Sequence, residues 1–193
     1  MSDARYNLTH RYVLFSCEGA AEGVIIQRLY EDGLLVVDKD RVVFDAVYSD
    51  RPYTRTRKAA DIASQYLGMD YSVNGAEGLL VARIVDSRSA RFELPKRAGA
   101  DAVVQSFFTR PEIEMLAVHK QGAFDLWQRQ SRRNRSLKPS EFCKQELGLS
   151  KIKETKFLKE YWSNGAELAE CIKRYASKAR RENDELMLAD LLA

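Results

Sequence analysis

The sequence predicts an α/β domain, a parallel sheet with helices on both faces, followed by a helical C-terminal part. Three observations carry this. Short runs of strand length stand at 12–17 and 79–85, with a weaker one at 103–107; the first two have the apolar pattern of strands buried on both sides. Segments with apolar residues at helical spacing lie between the first two runs. Beyond about residue 111 the pattern is helical only. Strands alternating with helices, then helices alone, describe a Rossmann-like core with a helical extension. The division falls at the link RNRSLKP, giving a core over 1–132 and an extension over 133–193 packed on it.

Taken in order, Tyr12-Val-Leu-Phe-Ser-Cys17 is the first strand. Glu18-Gly19-Ala20-Ala21-Glu22-Gly23 interrupts it. Val24, Ile25, Leu29 and Leu34/Leu35 then recur at helical spacing, which predicts a helix over about 21–32. Val42, Val43 and Phe44, with Val47, predict a second strand. Ile62, Ala63, Tyr66 and Leu67 share one face of a helix running from Lys58 to Leu67. Leu79–Val85 is the next strand and ends at Asp86; Phe92–Leu94 and Val103–Phe107 add short ones. A helix is expected from Pro111, with Thr109 near its cap. Helices follow over Phe124–Arg132, Pro139–Leu147 (capped by Ser136 or Ser140), Lys153–Trp162 and Ala166–Lys178. Leu186, Leu188, Leu191 and Leu192 form an apolar tail that packs internally or on a partner.

With 45% hydrophobic and 31% charged residues in 193, the composition is that of a globular chain. No apolar run approaches the roughly 18–20 residues of a membrane span. The first twelve residues are polar and lack a signal-peptide core, so a cytoplasmic location is expected. Cys17, Cys143 and Cys171 are scattered without a CxxC pair, which argues against a disulfide framework and a zinc site. With only two histidines, His10 and His119, any metal must be held mainly by carboxylate oxygen, and that favours Mg²⁺ or Mn²⁺. The net charge of +3 is unevenly spread: residues 129–160 hold ten Lys or Arg against four Glu. Such a stretch is either a footprint for phosphate or a solvated helical surface. Its densest part is Arg132, Arg133, Arg135 and Lys138. Trp127, Tyr161 and Trp162, interleaved with these cations, either stack on bases or fill a core. The chain has no Walker loop, GxSxG, HExxH or kinase signature.

Ligands of open parallel sheets collect at the carboxyl ends of the strands. Glu18, with Glu22 one helical turn later, and Asp86 occupy two such ends. If the two strands are neighbours, Glu18 and Asp86 face one crevice, where a divalent cation would relieve their repulsion. The alternative is that Glu18 and Glu22 cap a helix and Asp86 starts a turn. Glu112 and Glu114 complement the positive end of the helix opening in RPEIEML, or Glu114 completes a carboxylate cluster. Lys120 is either solvated or directed at a phosphate. Cys17 has no histidine to activate it as a nucleophile.

The strand Tyr12–Cys17 followed by Glu18-Gly-x-x-Glu22 and a helix resembles the opening motif of Toprim domains, in the EGxxE variety of OLD-type and RloB-like nucleases. The hydrophobic strand Leu79–Val85 ending at Asp86 matches the second, aspartate motif by position, and the Pro-Glu helix start matches a later segment. Over residues 12–120 the resemblance implies a Toprim-like fold and Glu18, Glu22, Asp86 and Glu114 as candidates for holding Mg²⁺ or Mn²⁺. It further implies a nuclease acting on DNA or RNA, of the kind found in defence-type systems beside an ATPase or other protein partner. The family's Asp-x-Asp reads Asp86-Ser87-Arg88 here, so one acid is replaced by a cation and Arg88 becomes a candidate phosphate donor. A degenerate Toprim-like binding or scaffold module and a small-molecule phosphohydrolase are the competing expectations.

Overall fold

The computed structural model describes residues 3–87, 92–95, 101–179 and 185–193. Four parallel strands form one sheet in the order β1 (Tyr12–Cys17), β2 (Leu79–Val85), β3 (Ala102–Phe108) and β4 (Leu186–Met187). Alternation along the strands separates two apolar layers. Val13, Phe15 and Cys17 of β1, with Leu80, Ala82 and Ile84 of β2, face the larger layer. Leu14, Leu79 and Val81 face the smaller one, which α3 (Ala59–Tyr66) covers with Ile62, Ala63 and Tyr66. Helices therefore lie on both faces, as the sequence predicts.

The larger layer is covered first by α2 (Ala20–Glu31), whose Val24, Ile25, Ile26 and Leu29 are buried. Gly33 stops this helix: at φ +66° its amide donates to Tyr30 and that of Leu34 donates to Leu29, the Schellman pattern that glycine adopts without a Cβ penalty. Packed beside it are α4 (Met115–Lys120), α5 (Phe124–Arg133), α6 (Pro139–Gln145), α7 (Thr155–Tyr161) and α8 (Gly165–Lys178). The Asp32 carboxylate accepts the Gly165 amide at 2.9 Å, tying the end of α2 to the positive start of α8. The polar N-terminus also forms a helix, α1 (Asp3–His10), with Ala4 and Leu8 buried one turn apart.

The structure departs from the sequence reading in several places. Residues 42–47 are not a strand. Asp45 turns the chain by accepting the amides of Val47 and Tyr48 at 2.9 and 2.8 Å, so Val47 lies 74% exposed. What remains is an edge segment touching β1 at isolated points: Val43 N–H to Val13 O, Thr54 N–H to Phe15 O, and Cys17 N–H to Thr54 O. Residues 92–95 are not in regular structure. The helix expected from Pro111 begins at Met115. Thr109 does not cap it, because its amide and hydroxyl both donate to Val85 O and so prolong the pairing of β3 with β2. Neither Ser136 nor Ser140 caps α6. The Glu141 carboxylate takes the Lys138 amide, and Glu112, from outside the helix, takes the Ser140 amide at 3.0 Å.

The apolar tail packs internally. Leu186 and Met187 pair with Phe107 and Phe108, and a short 3-10 turn over Leu188–Leu191 buries Leu188 and Leu191 to 1% exposure each. One continuous apolar layer thus contains residues from both sides of the link at 133–139.

Candidate metal centre

The chain leaves β1 toward one side, to its edge segment, and returns to the other side as β2. The carboxyl ends of β1 and β2 therefore flank a point where the winding direction reverses, which is where open sheets leave a crevice. Glu18 and Asp86 stand there in contact. The Glu18 amide donates to Ile84 O at 3.0 Å, and the Glu18 carboxylate accepts the Asp86 amide at 3.1 Å.

Glu22 lies in the first turn of α2 and is 7% exposed. Its carboxylate folds back over the helix start, close to Gly19, where the nearby Gly19 and Glu22 amides favour its charged form. A Cβ on Gly19 would come within 2.7 Å of the Glu22 Oε2, so any larger residue there would turn that carboxylate aside. Glu114, 8% exposed, enters from the turn before α4. Glu22, Asp86, Glu112 and Glu114 together line a cleft of about 210 Å³ floored by Gly19–Ala21 and Ile113, with Lys153 at its rim. The Lys153 ammonium lies 3.8 Å from Glu114.

This crowding shows in the acidities. Burial pushes the Glu22 carboxyl up, and the negative charges of Glu114 and Asp86 push it further against its backbone hydrogen bonds. Burial also raises Glu114; its own amide and Lys153 oppose the shift, while Glu112 and Asp86 add to it. The donor set is entirely carboxylate oxygen, the chemistry that suits Mg²⁺ or Mn²⁺. A cation in the cleft would favour the charged forms that burial and repulsion now disfavour. As the side chains stand, no group of three or more His, Cys, Asp or Glu among the described residues is close enough together to hold a metal ion. Closing on one would take Glu18 from the Asp86 amide.

No known protein family, curated protein or solved structure matches this chain.

The other residues singled out in the sequence divide clearly. Arg88 lies outside the described residues. Arg133, Arg135 and Lys138 are exposed and do not line the carboxylate cleft. Arg132 lines a separate cavity of about 870 Å³ with Trp127 and Tyr175, beside the ion pair of Arg110 with Glu185. Trp127 and Trp162 are 8% and 2% exposed and belong to the core, not to a base-stacking surface. Lys120 is neither solvated nor free for phosphate: it donates to Tyr161 O at 2.7 Å, pairs with Glu167 at 2.8 Å and lies over the Tyr161 and Trp162 rings. Cys17 is fully buried, and that burial holds its thiol well above the ordinary range, which leaves no thiolate for attack.

A feature that the sequence reading missed lies across β1. A second cleft, of about 410 Å³, is lined by Glu18, Asp45, Tyr48, Tyr53 and the arginines 51, 55 and 57. Its signal was present as the alternation Thr54-Arg55-Thr56-Arg57, a period of two in a segment without the apolar residues that mark a strand.

Proposed function

We propose that this protein cleaves phosphodiester bonds of nucleic acid with the aid of Mg²⁺ or Mn²⁺. The observation that carries the reading is the meeting of Glu22, Asp86 and Glu114, from three separate elements, in one cleft at the sheet's reversal point, with Glu18 bonded to the Asp86 amide. Glu18, Glu22, Asp86 and Glu114 would hold the ion. Such an ion, when bound, polarises a phosphoryl oxygen and lowers the pKa of a coordinated water. A carboxylate oxygen of this cluster that the ion leaves free is placed to take a proton from an attacking water. Lys153, beside Glu114, supplies positive charge where the phosphate's charge would gather. Three buried free thiols suit a reducing, cytoplasmic setting, and no helix among the described residues is long and apolar enough to cross a membrane. A protein partner such as an ATPase, in a defence-type system, enters the reading only through the resemblance.

The test is incubation of labelled single- and double-stranded DNA and RNA with Mg²⁺, Mn²⁺ or EDTA, beside Glu18→Ala and Asp86→Ala. Cleavage is expected with metal, none with EDTA, and a loss of about a hundredfold or more in each variant, since metal ligation supplies several kcal/mol. A second reading, a binding module without catalysis, draws on the Glu18 carboxylate being occupied by the Asp86 amide. Its signature is nucleic-acid binding that survives both substitutions, with no cleavage on any substrate.

A further inference from the structure

The edge segment after the Asp45 turn is fixed at several points. Thr54 is paired with β1 through its amide and carbonyl, Ser16 Oγ donates to Thr56 O at 2.8 Å, and the Thr54 hydroxyl bonds that of Thr56 at 3.1 Å. Thr54 is fully buried. In an extended segment alternate residues point to opposite sides, so with the threonines turned inward Arg55 and Arg57 share the outer side, roughly 7 Å apart along the chain. Both are exposed, and among the described residues neither makes a hydrogen bond or ion pair. Arg51 joins them on the wall of the 410 Å³ cleft, its guanidinium 3.8 Å from the centre of the Tyr48 ring. Tyr48 is 52% exposed on the loop tip. The acids on this wall are occupied: Asp45 holds the amides of Val47 and Tyr48, and Glu18 holds that of Asp86.

Unpaired cations repeating along a rigid extended segment, beside an exposed aromatic ring, are the parts that grip an unpaired nucleic-acid strand: arginine on consecutive phosphates and a ring face for a base. We infer that the cleft walled by Arg51, Arg55 and Arg57 binds single-stranded nucleic acid, with its backbone on Arg55 and Arg57 and a base on Tyr48. The strand would then run past Glu18, the residue at which this cleft meets the carboxylate centre. The inference rests on the phosphodiester reading for the identity of its ligand. It transfers the grip from the basic stretch at 129–159 to a segment held against β1.

The experiment is fluorescence anisotropy in EDTA, with short labelled single strands of DNA and of RNA and the corresponding duplexes. Wild type is compared with Arg55→Ala/Arg57→Ala and with Tyr48→Ala, all at exposed positions, with circular dichroism as a check on folding. Single strands are expected to bind more tightly than duplexes. The double variant should bind at least about tenfold more weakly near 0.1 M salt, with a log–log salt slope flatter by about 1.4, at about 0.7 for each phosphate no longer neutralised. Tyr48→Ala should cost roughly fivefold or more. Preference for DNA or for RNA identifies which strand the cleft takes. An unchanged affinity and slope in the double variant, or no binding by the wild type, overturns the inference. Equal affinity for duplex with a silent Tyr48→Ala overturns its single-strand assignment. Metal-dependent cleavage with binding unaffected by the arginines would sink this inference and leave the proposed activity standing. Arginine-dependent binding of single strands without cleavage in any metal would do the reverse.

Discussion

Gly23 fixes how closely α2 can approach the loop that follows it. A Cβ at this position would stand 2.3 Å from one Tyr53 ring carbon and 2.5 Å from the next, and Tyr53 is itself 8% exposed and has little room to retreat. Gly23→Ala is expected to destabilise the chain by about 1–3 kcal/mol, read as a lower urea midpoint with an unchanged slope. Glu22 carries a different strain. Its carboxyl holds a proton more tightly in the folded chain than in the unfolded one, so protonation stabilises the fold and that advantage is lost as pH rises through the raised value. Glu22→Gln, which cannot ionise, should therefore melt higher than the metal-free wild type at neutral pH, with the gap closing toward the ordinary carboxylate range near pH 4.5. A gap that stays constant with pH would mean that the carboxylate is not buried against its neighbours. At this scale Glu18 and Asp86 were legible because each follows an apolar strand. The tighter hold of Glu22 on its proton was not, since it depends first on burial in the folded chain and then on Glu114 arriving from a distant turn.

At the scale of elements, the long apolar runs were legible and the short ones were not. β1 and β2 declared themselves because a strand buried on both faces reads as a nearly continuous apolar run, and the half-buried β3 showed more weakly. β4 has two residues, too few for any period to show, and its pairing depends on β3 offering an open edge. The strand expected at 42–47 failed for a local reason, the Asp45 side chain competing for the amides a strand would need. Arginines 51, 55 and 57 were overlooked with it, since a cation in a loop draws no notice until the loop is found pinned to β1. The small size of β4 understates the weight of the tail. Leu191→Ala is expected to cost about 2–5 kcal/mol. Deleting 186–193 removes Met187, Leu188, Leu191 and Leu192 from the core, at about 1.5–3 kcal/mol each. That loss rivals the roughly 5–15 kcal/mol that holds a domain together, so the shortened chain should fail to give a cooperative thermal transition.

For the molecule as a whole, the proposed ion is also a stability question. A ligand that binds only the folded state at a hundred times its dissociation constant adds about 2.7 kcal/mol, which moves the melting point of a chain this size by roughly 5–10 °C. Mg²⁺ or Mn²⁺ is expected to produce such a rise in the wild type and little or none in Asp86→Ala, measured by calorimetry in a metal titration. A rise of equal size in the variant would remove Asp86 from the site. The overall α/β architecture could be read from the order of patterns, whereas the cleft arises only once residues 22, 86 and 114 are folded together. That same parallel arrangement sets a schedule. Tyr12 pairs with Leu79, and Phe107 waits for Leu186, 79 positions later. The pairings of β1 with β2 and of β3 with β4 must therefore close long loops before they are rewarded, so the chain should fold slowly. While it emerges during synthesis, β3 would present a bare edge until residues 186–187 appear, and through that interval a chaperone or a neighbouring nascent chain competes for the place that β4 finally takes.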